Sequence, residues 1–255
     1  TVGLVLGYAH QETPVQENQV GLYEPWEKIG DGWRPGVASG TFYSNGIKAL
    51  RRTGVTKRDA LMGTLEVRAS KEWTSVLDVY HTSAKQEDTA NQFEVNLGDY
   101  NGGYGRIAIT GAQVNGNGTF TGGSVANLYP LVRGMYNKRD DKIDAACWNN
   151  KFVLGDLRVT ADLSYSKATR NELNLENNTQ LAPTAGNTQL DTLALNYATG
   201  GFSFMDPRLS YSDPTKLLLR GTIYGSGYGK VPSVEDELKS IKLAASMPAP
   251  AMLTG

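Results

Sequence analysis

Residues 152–170 read FVLGDLRVTADLSYSKATR, and their polarity alternates from residue to residue after the Gly-Asp pair. One face carries Leu157, Val159, Ala161, Leu163 and Tyr165, whereas the other carries Asp156, Arg158, Thr160, Asp162, Ser164 and Ser166. A period of two predicts a β-strand with one apolar and one polar face. Because the polar face is charged well inside the strand and the apolar face ends in a Tyr, the pattern is typical of a barrel strand with lipid outside and water inside.

The composition fits many strands joined by turns and polar loops. Gly accounts for 29 of the 255 residues, and Tyr outnumbers Phe by 13 to 6. The net charge of −1 suggests no nucleic-acid partner, and the single Cys147 excludes an intramolecular disulfide. No apolar run approaches the roughly 18 residues that a membrane helix needs, but barrel strands alternate and escape such a search.

Six strands of alternating direction are predicted to cross a membrane. They cover about 1–10, 59–68, 72–84, 131–148, 153–170 and 235–247. Short turns at 69–71 and 154–156 join them at one end, and long polar stretches at 11–56, 85–129 and 171–234 join them at the other. We expect short strands within these stretches at 106–110, 190–201 and 215–230. Long loops at one end and short turns at the other are the arrangement of outer-membrane barrels.

The strand count predicts a fragment of a larger barrel. Six strands are too few to close a barrel, for which about eight are the usual minimum, and a bilayer tolerates no open sheet edge. The chain also begins inside a strand, without Met or a signal peptide. We therefore expect an all-β, antiparallel transmembrane β-barrel segment with long extracellular loops, in which residues 1–255 form one partial barrel domain and the plug domain is absent.

The sequence does not decide between two registers for residues 131–154. Either Ile143, Ala145 and Cys147 face lipid, or Ala146, Trp148 and Phe152 do. A β-bulge between the two sets would allow both.

Four pieces of the chain, in this order, resemble the TonB-dependent outer-membrane receptors, and most closely a large-loop proteobacterial subfamily. The pieces are TKRDALMGTLEVRASKEWTSVLDVYHT (56–82), YNKRDDKIDAACWNNKFVLGDLRVTADLSYSKATRNE (136–172), LSYSDPTKL (209–217) and GYGKVPSVEDELKSIKLAAS (227–246). The resemblance implies a barrel of about 22 strands in the outer membrane of a Gram-negative cell, filled by an N-terminal plug. It also implies import of a scarce, bulky nutrient such as a siderophore, cobalamin or an oligosaccharide, energised by the TonB complex through the plug.

Aromatic residues in the polar stretches are the candidate ligand-binding residues. The first stretch holds Tyr23, Trp26, Trp33, Arg34 and Tyr43, and the second holds Tyr100 and Tyr104. Aromatic rings beside polar groups suit the recognition of sugars or metal chelates through stacking and cation–π contacts. The alternative is that these rings pack the loops against themselves.

The sequence suggests no catalytic, metal or cofactor site, and we expect no enzyme activity. Gly229-Lys230 is followed by Val231, so it does not fit a phosphate-binding loop, and no Ser lies in a GxSxG context. His10 and His81 lack a recognisable third metal ligand. The charged run Lys138 to Lys142 should lie above the bilayer or line the lumen.

Two other functions fit the pattern less completely. A passive porin or adhesin-type barrel would have the same strands and no plug. A soluble, β-rich carbohydrate-binding domain would bury its apolar strand faces against each other across a sandwich core.

Overall fold

The computed structural model of the protein describes residues 1–23, 27–30, 34–197, 204–221 and 225–249. Fourteen strands lie within these residues. In chain order they are β1 (Val2–Leu22), β2 (Glu27–Lys28), β3 (Phe42–Tyr43), β4 (Gly46–Arg68), β5 (Trp73–Asn96), β6 (Ala108–Val114), β7 (Phe120–Leu128), β8 (Leu131–Leu154), β9 (Leu157–Leu181), β10 (Asp191–Asn196), β11 (Phe204–Pro207), β12 (Leu217–Leu219), β13 (Gly227–Lys230) and β14 (Ser233–Ser246). No helix in the described part of the chain is long and apolar enough to cross a membrane.

Six long strands form the main sheet, which confirms the predicted all-β, antiparallel architecture. The order is β1-β4-β5-β8-β9, and β12, β13 and β14 continue the sheet by pairing in turn with β9. The predicted turns are also confirmed, because β4 passes to β5 after Arg68 and β8 passes to β9 through Gly155-Asp156. Gly155 has φ 62, a left-handed conformation that glycine adopts without steric cost.

The prediction that 11–56 is a polar stretch outside the long strands is wrong. β1 continues to Leu22 and β4 begins at Gly46, in unbroken register with each other. Ion pairs join the two extensions, from Lys57 to Glu12 at 3.2 Å and from Arg52 to Glu17 at 3.1 Å. Pro14 is tolerated because β1 pairs only with β4 among the described strands, so its missing N–H interrupts no ladder on the other side.

β8 has a single register along its whole length and contains no bulge. β8 pairs with β5 and β9 along its length without a register shift. Trp148 lies opposite Leu77 and Leu163, whereas Cys147 lies opposite Asp78 and Ser164. Ala146, Trp148 and Phe152 therefore share a face with Leu163, and the bulge interpretation is wrong.

One face of the main sheet carries an exposed apolar band across the six long strands. Successive rows of cross-strand neighbours form it, and the central row is Leu4, Leu65, Leu77, Trp148, Leu163 and Ile241. Within that row Leu163 is 42 % exposed and Ile241 74 % exposed, so the sheet is a single layer here. On β9 the band runs from Leu157 to Tyr165, or about 27 Å at about 3.4 Å per residue.

A small second sheet covers the upper end of the long strands, which is the end remote from the two short turns. Its order is β11-β10-β7-β6, and it includes the short strands predicted near 106–110 and 190–201. The core at this end joins residues of the long strands to residues of the connections: Ile29, Tyr43, Ile47, Val95, Leu97, Ile107, Ile109, Phe120, Val125, Leu128, Leu193, Leu195 and Tyr197. The stretches that read as polar loops thus form a packed layer with its own hydrophobic core.

Candidate functional site

The face opposite the apolar band, which we call the inner face, is mostly polar, with apolar residues such as Met62 and Leu238 among the polar ones. Near the turns, Thr64 donates a hydrogen bond to Asp78 at 2.6 Å, and Asn149 donates one to Asp162. All of these side chains lie on the even positions of β4, β5 and β9 or the odd positions of β8, which the registers place on one side. A polar face behind an apolar one is what a wall between lipid and water requires.

The inner face carries a cluster of buried charges at its upper end, formed by Tyr23, Glu94, Arg133, Glu176 and Tyr228, which we call the rim cluster. Arg133 donates to both oxygens of Glu94, from Nε at 2.7 Å and from Nη2 at 3.2 Å, and its Nη1 donates to Glu176. Tyr23 donates its hydroxyl hydrogen to Glu94. Tyr228 donates to the second oxygen of Glu176 at 2.8 Å. One guanidinium thus holds two carboxylates from different strands, and two phenols complete the carboxylates' hydrogen bonding.

The members of the rim cluster differ in their exposure. Glu94 is only 3 % exposed, and Arg133 is 27 % exposed. Burial, followed by the Glu94 carboxylate, raises the pKa of Tyr23 well above its ordinary range, so the phenol stays protonated and acts as a donor. Lys48 lies over the Tyr23 ring, with Nζ 4.9 Å from the centroid. Arg133 and the two phenols donate hydrogen bonds within the cluster, and Lys48 adds a cation beside Tyr23.

Ion pairs continue along the inner face below the rim cluster. Arg52 Nε lies 3.4 Å from Asp88, which is 3 % exposed, and Asn137 donates to the same carboxylate at 2.8 Å. One level further down, Arg170 donates to Asp141 at 2.7 Å. The inner face is therefore lined by charges that pair across strands.

The charged run from Lys138 to Lys142 divides between the two faces. Arg139 and Asp141 lie on the inner face, with Arg139 Nε 3.1 Å from Asp141. Lys138, Asp140 and Lys142 lie on the other face, above the apolar band. Alternate residues of this run thus lie on opposite faces of the sheet, and their position relative to a bilayer stays a prediction.

Two of the predicted ligand-binding residues come together beside the rim cluster. Tyr23 belongs to the cluster, and Tyr100 is near enough to contribute to the raised pKa of Tyr23 after burial and Glu94. Tyr100 is 39 % exposed, and Tyr104, at the other end of the same short turn, is 50 % exposed. These rings are accessible from solvent, and their role in ligand binding stays a prediction.

Two other predicted ligand-binding residues pack inside the layer that the second sheet and the connections form at the upper end, which we call the upper layer. The Tyr43 ring lies 4.9 Å from that of Phe120 and is 2 % exposed. Arg34, 5 % exposed, donates to Asn45 at 3.0 Å and to Asp99 at 3.2 Å. This is the packing alternative that the sequence left open, and it favours a structural role for both. Trp26 and Trp33 lie outside the described residues.

Sequence reasoning missed the three charged members of the rim cluster. Glu94 and Glu176 fall in stretches predicted as loops, and Arg133 lies at the start of a strand whose register was open. A signal was present in QFEVN (92–96), where Phe93 and Val95 alternate with polar residues and so extend β5 upward.

No group of three or more His, Cys, Asp and Glu side chains in the described ranges could hold a metal ion. Instead, His10 lies 2.8 Å from Asp59, and His81 lies 2.6 Å from Asp144. Both pairs lie at the upper border of the apolar band, on its face of the sheet.

Comparisons with known proteins identify no relative. The chain matches no protein-family model, no curated protein and no solved structure in these comparisons. The resemblance to TonB-dependent receptors therefore stays an expectation from the sequence.

Proposed function

We propose that this chain forms part of the wall of an outer-membrane receptor that actively imports a scarce, bulky nutrient. The observation that carries this proposal is the apolar band, which stays exposed on one face of a single-layer sheet while the inner face is lined by paired charges. A contiguous apolar surface of this extent marks contact with lipid or another apolar partner. Outer-membrane barrels have the same arrangement, with lipid outside the wall and water inside it.

A soluble carbohydrate-binding sandwich is the less favoured function. In a sandwich, a second sheet covers the apolar strand faces at a distance of about 10 Å. The small second sheet packs at the upper end, against Ile47 and Val95, and leaves Leu77 and Leu163 exposed. A membrane supplies the missing cover more simply than a second protein layer does.

The upper layer supports a receptor rather than a plain connector between strands. Its hydrophobic core fixes the long connections in place, Tyr100 lies near Tyr23 of the rim cluster, and both Tyr100 and Tyr104 stay exposed. Loops that a scaffold holds rigid commonly carry binding functions. The cargo would be a siderophore, cobalamin or an oligosaccharide caught at the outer mouth, and energy would come from the TonB complex through a plug of the parent protein. A passive porin or adhesin-type barrel is the alternative.

The topology can be tested by cysteine labelling of intact cells, in a Cys147→Ser background. The proposal places the 69–72 turn in the periplasm and the 115–118 turn outside, because they lie at opposite ends of the long strands. Asn117→Cys should react with a membrane-impermeant maleimide, whereas Ser70→Cys should react only after the cells are lysed. Reaction at Ser70→Cys but not at Asn117→Cys in intact cells would contradict this orientation.

Active import can be tested with radiolabelled cargo. Cells that carry the gene and cells that lack it would be compared for uptake of a ferric siderophore, cyanocobalamin and a maltooligosaccharide. One cargo should accumulate only in the gene-positive cells, and a protonophore should abolish accumulation while surface binding persists. Uptake that continues in the presence of the protonophore would instead indicate a passive barrel.

A further inference from the structure

A cleft of about 1080 Å³ opens between the upper part of the main sheet and the segment 207–212, which we call the upper cleft. The floor is formed by β1, β4, β5 and β8, and the roof by Leu209, Ser210, Tyr211 and Ser212. Its volume is slightly above the range for small-molecule sites, which is about 300–1000 Å³.

Two rows of cross-strand neighbours make the floor. The apolar row is Val20, Ala49, Phe93 and Val132, and the polar row beneath it contains Asn18, Arg51 and Asn91. Residues that face each other in register are about 5 Å apart at Cβ, so each row acts as a unit. The upper cleft thus has an apolar half and a polar half side by side.

Hydrogen bonds and a ring contact hold the roof in place over the sheet. Asp191, which is 1 % exposed, accepts hydrogen bonds from the backbone N–H groups of Arg208 at 3.1 Å and Leu209 at 3.3 Å. The Tyr211 hydroxyl donates to the same carboxylate at 3.0 Å, and the Tyr211 ring lies 4.8 Å from the Phe93 ring. The roof is therefore fixed to the apolar floor through the contact of Tyr211 with Phe93, as a preformed site requires.

Arg51 supplies the charge of the upper cleft. Its neighbour along the strand, Arg52, points to the inner face and pairs with Glu17 and Asp88. Arg51 itself is exposed and makes no ion pair within the described ranges. Asn18 and Asn91 flank it, and their amide groups can donate hydrogen bonds beside the guanidinium.

We propose that the upper cleft binds a soluble amphipathic carboxylate. The carboxylate would receive two parallel hydrogen bonds from the Arg51 guanidinium, and the apolar body would lie on Val20 and Ala49, beside the Phe93 and Tyr211 rings, which contact each other. The proposal goes beyond import, because the upper cleft opens on the face of the apolar band and not on the inner face.

The position of the upper cleft decides between a soluble ligand and a lipid headgroup. Arg51 lies ten residues along β4 from Leu61, at the upper border of the apolar band. That separation is roughly 33 Å along the strand, or about 25 Å along the membrane normal for a strand tilted by about 40°. Headgroups that border the apolar band do not reach this level, so the ligand comes from solution.

The test is a titration of the protein in detergent micelles with 4-(4-fluorophenyl)butyrate, followed by ¹⁹F NMR line broadening against a protein-free micelle blank. The neutral amide of the same acid measures the contribution of the charge. The carboxylate should bind at least about tenfold more tightly than the amide, because one hydrogen bond to a charged group strengthens binding by about tenfold or more. Arg51→Gln should abolish this difference and leave amide binding unchanged.

Arg58→Gln is the matched control, because Arg58 lies seven residues away on the same strand and on the inner face. It should keep the preference for the carboxylate. Tyr211→Ala removes the roof ring and should weaken the binding of both compounds. Equal affinity for acid and amide in the wild-type protein, or an acid preference that survives Arg51→Gln, would overturn the proposal.

Discussion

Leu163→Arg should lower the free energy of unfolding from lipid by about 2–4 kcal/mol, the cost of a charged side chain on the lipid face near the bilayer midplane. Leu163 lies in the central row of the apolar band, between Trp148 and Ile241. A long cationic side chain at this depth must carry its charge into hydrocarbon or bend toward an interface. The measurement is equilibrium urea unfolding of the protein folded into phosphatidylcholine vesicles.

The matched control is Thr160→Arg, three residues away on the same strand. Thr160 lies opposite Lys151 and Ala244, on the inner face, so the new charge meets water. The penalty there should be clearly smaller. Equal penalties at the two positions would remove the case for a lipid-facing band in this register.

The lower half of the fold is predictable from the sequence because the two faces of its strands differ in polarity. Leu157 to Tyr165 and their partners alternate between apolar and polar, and no other secondary structure satisfies that period. The two short turns follow from where the alternation stops. The register of β8 required the neighbouring strands, since Cys147 and Trp148 are both compatible with an apolar face until Asp78 and Leu77 are opposite them.

The upper half was harder to predict because charged residues interrupt the strand extensions of β1 and β4. Glu12, Glu17, Arg52 and Lys57 read as loop residues, yet they pair across β1 and β4 over separations of 35 to 45 positions. Pairings between residues so far apart leave no local pattern. The core of the second sheet is likewise assembled from short apolar runs, such as those around Ile109 and Leu193, that are each too brief to predict alone.

The same reason explains which site residues the sequence could indicate. Exposed aromatic residues such as Tyr100 stand out in a polar loop. The rim cluster does not, because Glu94, Arg133 and Glu176 come from three strands and are 39 and 43 residues apart in sequence. Each is an ordinary charged residue until the sheet brings them together.

Arg133→Met should destabilise the protein by about 3–5 kcal/mol, the cost of leaving buried charge without its partner. The substitution keeps most of the apolar stem and removes the guanidinium that holds Glu94 and Glu176. Glu94 is 3 % exposed and Glu176 12 % exposed, so water can compensate little for the loss. Urea unfolding in vesicles measures the effect, and hydrogen exchange along 92–96 and 174–178 localises it to the rim.

A second substitution separates charge from packing. Arg133→Met combined with Glu94→Gln and Glu176→Gln removes the uncompensated carboxylates and should recover most of the lost stability, because replacing a whole buried ion pair by neutral groups is often nearly neutral. Arg170→Met is the matched control on the same face: its pair with Asp141 is 46 % exposed on the arginine side, and solvent screens such pairs. If Arg133→Met costs no more than Arg170→Met, or if the two Gln substitutions restore nothing, the rim cluster is held by packing alone and its fixed charges would no longer support a binding role at the mouth.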